Sequence, residues 1–398
     1  WTHGDGVALM PTQVGDVALD TGFVFVGYGL DVPGQGLNDY EGLDVRGKVV
    51  LALYGMPEGL PSELAAHLGS AKATTAFEHG AVGYIMVHSA DTRNIPWSAL
   101  MGYFGEPQTR WADAQGKVQT DAPGIQVEGF LSQQVTAALF AAAGQDLSAV
   151  QDAAAAGTSP KGFAIPGTAR VSLTAEARYF ESPNVVAILP GSDPSVSDEV
   201  VVVMAHLDHV GISDEEGDED RIFNGAMDNA SGTSVMLETA RLFSEMKEKP
   251  KRSILFVSVT GEEKGLLGSK HLAKDMKEAG REVYAMLNFE MIGVPLDKEY
   301  TAYVTGFDKS NLAEKMNGYA SANLVGYLPE AKQYQLFSRS DNYPFYTEFN
   351  VPAQTFCTFD FTNFDYYHHV DDEIDKLEER TSSILKIITL TSVAEEIA

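Results

Sequence analysis

A single cysteine, Cys357, is all the thiol chemistry the 398-residue chain possesses. One thiol excludes an intrachain disulfide and a thiolate metal cluster, so any metal must be held by His, Asp and Glu. Basic residues are scarce too: 28 Lys and Arg stand against 56 Asp and Glu, a formal charge of −28. Such a surface repels phosphate backbones, and no Lys/Arg cluster forms a basic patch, which argues against nucleic acid as a partner. The excess acid either concentrates cationic substrates or, on the plainer reading, is a solvated surface suited to a salty medium. Long hydrophobic runs are also missing. The longest strongly apolar one, Val200 to Ala205, is far short of the ~20 residues of a membrane-spanning helix. No Met precedes Trp1 and no charged-then-apolar leader follows it, as expected of a trimmed mature form or a chosen chain boundary.

What is present describes a globular protein. A hydrophobic fraction of 44%, with 10% aromatics, rules out a largely disordered chain. At roughly 100–200 residues per domain, the length predicts two domains. To about Thr174 the chain is rich in Gly and Ala. There Phe23 to Tyr28, Gly47 to Tyr54 and Gly83 to Val87 read as strands, and Ala71 to His79 and the Gln134 to Ala156 stretch, broken by Gly144, as helices. From Asn184 apolar strands alternate with helices, the pattern of a parallel α/β sheet. Val200 to Ala205, Ser253 to Val259 and Tyr284 to Phe289 are its strands. Ser231 to Met246, Ser269 to Ala279 and a long stretch from Ser382, striped by Ile384, Leu385 and Ile388, are its helices. Six acids crowd residues 214–220 (Asp214, Glu215, Glu216, Asp218, Glu219 and Asp220). They read as a solvated loop, with a calcium or sodium site as the alternative.

Each strand of the second part ends in chemistry. His206-Leu207-Asp208 closes the first; period-two geometry sets the Asp208 carboxylate beside the imidazole, where it accepts the spare ring N–H. Asn224 to Gly232 follows, and Asp228 within it either bridges two cations or caps the next helix. Glu262 and Glu263 leave the second strand side by side. Adjacent carboxylates repel unless a cation or shared proton compensates, so one reads as a ligand and the other as a general base. Glu290 closes the third strand, and Tyr367, His368 and His369 precede Asp371 and Asp372. His3, His67, His79, His88 and His271 lack acidic company, and His209 reads as structural. The loop around Arg339, Ser340, Asp341 and Tyr343 is either a pocket wall or an ordinary turn. Charge tests the set: the carboxylates of Asp228, Glu263 and Glu290, with the neutral imidazoles of His206 and His368, leave two divalent metals one positive charge in excess. One hydroxide cancels it. His and carboxylate ligation suits zinc, cobalt or manganese.

HLDHVG, FNGAMDNASG, GEEKGLLGS, NFEMIG, SRSDNYPF and YYHHVDDEID, in that order, resemble the M28 zinc aminopeptidases over most of residues 180 to 398. FVFVGYGL, DYEGLDVRGKVV and KATTAFEHGAVGYIMVHS resemble the protease-associated domain inserted into many members. The resemblance implies a zinc-exopeptidase α/β fold, a mixed sheet containing mostly parallel strands between helices, with a smaller β-rich α/β insertion. It implies an N-terminal segment (1–21) packing on the catalytic domain, a protease-associated domain (22–174) and a catalytic domain (175–398). His206 and Glu290 would hold one zinc, Glu263 and His368 the other, with Asp228 bridging; Glu262 would be the base for attack by a metal-bridging hydroxide, and Tyr367 would stabilise the tetrahedral intermediate. Asp208 would support His206. Cobalt or manganese could replace zinc. Many members carry Asp where Glu290 stands, and the doubled His368-His369 is resolved in favour of His368 because the family's spacing then ends on Asp372. Substrates would be peptides with a free N-terminus, and the family points to a secreted or periplasmic protein. A carboxypeptidase, a glutaminyl-cyclase-like acyltransferase and a non-catalytic receptor relative are the alternatives.

Overall fold

In the computed structural model, residues 1–378 are described, apart from 58, 61, 91, 106, 114, 158–159, 214–219 and 320–323. The chain forms two compact units, Trp1–Tyr179 and Phe180–Ala398.

The first unit is built on a six-stranded sheet. Its strands are β1 (Val7–Pro11), β2 (Gly15–Phe25), β5 (Val49–Leu53), β6 (Gly83–Val87), β7 (Val127–Leu131) and β8 (Phe163–Ala175), in the order β1-β7-β6-β5-β2-β8. A small hairpin, β3 (Asp31–Val32) with β4 (Leu37–Asn38), stands beside it. Helices α1 (Ser62–Glu78), α2 (Trp97–Gly105), α3 (Gln133–Ala142) and α4 (Leu147–Ala155) complete the unit. Residues 1–21, expected to pack on the catalytic domain, instead supply β1 and the first half of β2, whose residues Gly15 to Thr21 pair with β8. Backbone pairing is the reason: β8 runs long enough to offer a ladder along the whole of β2. The strand expected to reach Tyr28 stops at Phe25, because Gly27 and Gly29 both take positive φ and turn the chain.

The second unit carries a seven-stranded mixed sheet in the order β16-β15-β17-β14-β10-β13-β9. The strands are β9 (Val185–Leu189), β10 (Glu199–His206), β13 (Ser253–Val259), β14 (Glu282–Phe289), β15 (Ala302–Val304), β16 (Val325–Gly326) and β17 (Ala353–Cys357). β13, β10, β14 and β17 run parallel, while β9 and β15 pair antiparallel to β13 and β17. A hairpin of β11 (Gly211–Ile212) and β12 (Ile222–Phe223) follows β10. The helices are α5 (Ser231–Glu245), α6 (Leu267–Glu278), α7 (Leu312–Tyr319), α8 (Pro329–Gln333), α9 (Asn342–Phe349) and α10 (Ile374–Glu378). Strand β10 shows why it must be central. Val201, Val203 and Ala205 pack with α5 and α7, while Val200, Val202 and Met204 pack with α6 and α9. A strand covered on both faces has no place for a polar residue until it ends, which is why it reads as VVVVMA. Each such side chain contributes roughly 1.5–3 kcal/mol on burial.

This is the α/β architecture expected, a mixed sheet between helices. Among the described residues no helix is long and apolar enough to cross a membrane. The helix expected from Ser382 lies outside the described residues, as does the acidic loop except Asp220, which accepts the Ile222 N–H at 3.0 Å.

Candidate metal centre

Parallel strands deliver their last residues to one rim, and loops at that rim are free to carry chemistry. His206 is the final residue of β10, Glu262 and Glu263 follow β13, and Glu290 follows β14. Asp228 arrives in the tight segment before α5. Its peptide to Asn229 is cis, and the preceding Gly225 has φ +63, where a Cβ would lie 2.3 Å from the Asp228 carbonyl oxygen. Asp228 does not cap α5, whose start makes no side-chain capping bond. Instead Asp372 holds the segment, its carboxylate accepting the N–H groups of Met227 (2.8 Å) and Asp228 (3.1 Å). Asn229 ties the same turn to the sheet by donating to the Phe289 carbonyl at 3.0 Å.

The side chains converge. His206 Nε2 lies 3.2 Å from Asp228 Oδ1, and His368 Nε2 lies 3.3 Å from Asp228 Oδ2 and 3.1 Å from Glu263 Oε2. Glu290 meets the Ser340 hydroxyl and, at 3.4 Å, the Asn288 amide. His369 stands apart, pairing with Asp371 at 3.2 Å. Glu262, Tyr367, Asp228, Glu263, Glu290 and His368 line one cavity of about 420 Å³. Tyr367 stacks on the His368 ring at 4.0 Å.

Three placements differ from the sequence reading. The His206 Nδ1–H faces the Asp208 backbone carbonyl at 3.0 Å, not the carboxylate, which is 3.8 Å away. The strand ends at His206, so period-two geometry no longer governs residue 208. The freed Asp208 carboxylate accepts the Glu262 N–H at 3.2 Å and so fixes that residue's backbone. His209, read as structural, sits inside the cluster with Nδ1 2.8 Å from Glu263 and 3.9 Å from Asp228. Together His209, Asp228 and Glu263 could also hold an ion. Its signal was its place three residues after His206 in the same acidic turn. His79 and His271, read as lacking acidic company, pair with Asp31 (2.8 Å) and Asp275 (3.3 Å). The Asp31 partner is 48 positions away, beyond the reach of local pattern.

Electrostatics mark the cluster as out of balance. Burial pushes the Glu262 carboxyl well up, with the Glu290 charge adding to it, and burial raises Glu290 to about 7. Burial also raises Asp341, beneath the site, to about 6. Burial alone would lower His206, but the Asp228 carboxylate 3.2 Å from its Nε2 and the Glu262 charge drive it well upward. His368 rises to about 9: burial opposes, and bonds to Asp228 and Glu263 overcome it. Burial and the Asp228 charge push the Tyr367 phenol up, opposed by the Arg339 guanidinium.

A metal fits this donor set. His206 Nε2, His209 Nε2 and Asp228 Oδ1 are buried without a hydrogen-bond partner, although His206 Nε2 and Asp228 Oδ1 face each other at 3.2 Å. Buried donor and acceptor atoms left unpaired are expensive, and a cation between imidazole and carboxylate satisfies both.

A family profile described as Peptidase family M28 matches residues 184–393. Over 111 residues the chain is 40% identical to a "Probable zinc metalloprotease" of Pyrenophora teres f. teres (strain 0-1), covering 27% of this chain and 22% of that protein. Over 221 residues it is 32% identical to a "Probable leucine aminopeptidase" of Arthroderma otae, covering 50% and 53%. The chain thus spans about half the length of the latter and about a fifth of the former. Among solved structures it is similar to an aminopeptidase from Aneurinibacillus sp. strain AM-1, with 20% identity, coverage of 98% and 80%, and a TM-score of 0.47. A zinc aminopeptidase from Bacillus subtilis gives 21% identity, 98% and 79%, and 0.43. At TM-scores this low, neither likeness bears on the function of this chain.

Proposed function

The chain belongs to peptidase family M28, and we propose that it is a zinc aminopeptidase that trims single residues from the free amino end of peptides. In this reading His206, Asp228, Glu263, Glu290 and His368 are the residues that would hold two zinc ions. The observation that carries it is the set of buried imidazole and carboxylate atoms left unpaired beside a cavity rimmed by acids. The names of the curated relatives, a zinc metalloprotease and a leucine aminopeptidase, support it. When bound, zinc supplies Lewis acidity, lowering the pKa of water towards ~7 and polarising a carbonyl.

The chain's own groups do the rest. Glu262 is the general base. Its backbone is fixed by Asp208 and its carboxyl is raised by burial, so it takes a proton from the attacking water and returns it to the leaving amine. The Tyr367 phenol, kept protonated by burial, donates to the oxygen that becomes negative in the tetrahedral intermediate. The substrate ammonium is drawn to the acidic rim, and Met291, Leu336, Phe359 and Phe361 offer its first side chain an apolar wall. For the first unit we propose the protease-associated role that its motifs imply, and for the whole protein an extracytoplasmic setting, both supported by the family resemblance alone.

Glu262→Gln tests the central role. Turnover of a leucine anilide falls by roughly 10²–10⁴-fold while zinc content stays at the wild-type level. A wild-type rate with zinc bound removes Glu262 as the base.

A further inference from the structure

The cavity holds a charge that peptide hydrolysis by Glu262 and Tyr367 leaves unused. Among its described lining residues the arginine and lysine are Arg339 and Lys270. In a chain with twice as many acids as bases, several accessible arginines pair with a carboxylate, although the exposed Arg178 and Arg281 make no ion pair among the described residues. Arg46 finds Asp44, Arg170 finds Asp20, Arg241 finds Glu238 and Glu245, and Arg252 finds Glu199. Arg339 has no such partner among the described residues; its guanidinium contact is a 3.4 Å donation from Nη1 to the Tyr334 carbonyl.

Its neighbours are fixed. Phe337, Ser340 and Asp341 are buried, and the Ser340 hydroxyl is bound to Glu290 and to the Asn288 amide. Arg339 therefore stands on a rigid wall of the same cavity that Tyr367 and His368 line. A planar fork of N–H donors with no carboxylate of its own matches one chemical group above others, a carboxylate bound through two parallel hydrogen bonds.

We propose that Arg339 binds a carboxylate carried by the substrate beyond the scissile bond, so that the site selects short or acidic peptides whose positive amino end faces the acidic rim and whose negative end faces Arg339. The inference rests on the peptidase reading of this site. Two sources share the chemistry: the terminal carboxylate of a dipeptide and an acidic side chain in the second position.

The experiment compares kcat/KM within two substrate pairs, Leu-Gly against Leu-Gly-amide and Leu-Asp-amide against Leu-Asn-amide, for the wild-type protein, Arg339→Gln and Arg339→Lys. Wild type prefers the carboxylate member of at least one pair by roughly 10- to 100-fold, the factor supplied by hydrogen bonds to a charged group, and the pair that shows the preference names the source. Arg339→Gln brings that ratio to about one, and Arg339→Lys retains part of it. Because each ratio is taken within one protein, a general loss of activity or folded protein cancels. A wild-type ratio near or below one in both pairs, or a ratio that survives Arg339→Gln, overturns the inference. If wild type cleaves none of the four substrates, the peptidase reading itself fails, a result distinct from cleavage without preference.

Discussion

At the scale of single residues, the cluster proposed to hold zinc also binds protons. Without metal, burial raises Glu290 from 4.5 to about 7, and His368, opposed by burial but bonded to Asp228 and Glu263, rises from 6.5 to about 9. Both groups bind a proton more tightly folded than unfolded. Each therefore contributes stability that is full below its ordinary pKa and is lost as pH rises through its folded value. For Glu290 the window is about 4.5 to 7 and for His368 about 6.5 to 9. Zinc held by the proposed ligands would replace those protons, so its stabilisation would grow with pH. Scanning calorimetry with chelator and with zinc should show a larger rise in Tm at about pH 8.5 than at about pH 6. An equal rise at both contradicts the competition. His206, Asp228, Glu262, Glu263 and Glu290 were legible in the sequence because each is a polar residue where an apolar strand or tight turn stops. The place of His209 in the cluster was not, because a ring three residues past a strand end points wherever the turn sends it. Nor was the swap at Asp208, where the carbonyl takes the bond assigned to the carboxylate.

Among the elements, the segment between β12 and α5 depends on a residue far along the chain. Asp372 accepts the N–H groups of Met227 and Asp228 and is fully buried. Asp372→Ala leaves two buried donors unpaired, at about 1–3 kcal/mol each, and frees the Asp228 carboxylate to wander. Zinc affinity, read by competition with a chromophoric chelator, should fall by about 10–100-fold, the usual effect of removing a residue that orients a ligand. An unchanged affinity would show that Asp228 keeps its place without it. The sequence singled out Asp372 only as the end of a spacing pattern, since a contact spanning 144 positions leaves no local periodicity. The parallel strands were legible for the opposite reason. β10 is buried on both faces and β13 almost throughout, and both read as mainly apolar runs, whereas the apolar edge strand β9 (VVAIL) is exposed along most of its length. The assignment of residues 1–21 missed because pairing with β8 depends on a partner about 150 positions away, not on anything within the segment.

For the molecule as a whole, acidity works against compactness. A formal charge of −28 repels itself across the surface, and salt screens that repulsion over ~10 Å at ~0.1 M. Tm should therefore climb as sodium chloride rises from about 0.02 to about 0.5 M; a fall would mean that attractive surface pairs outweigh the net charge. The same imbalance recurs at the rim of the second sheet, where Asp228, Glu262, Glu263 and Glu290 crowd one cavity, which the proposed zinc ions would fill. Anomalous diffraction at the zinc edge, on crystals grown with zinc, tests this most directly. Two peaks per chain should appear, one touching His206 and Glu290 and one touching Glu263 and His368, with Asp228 shared, at about 2.0–2.2 Å from the ligand atoms. A single peak, or peaks that avoid these side chains, would contradict it.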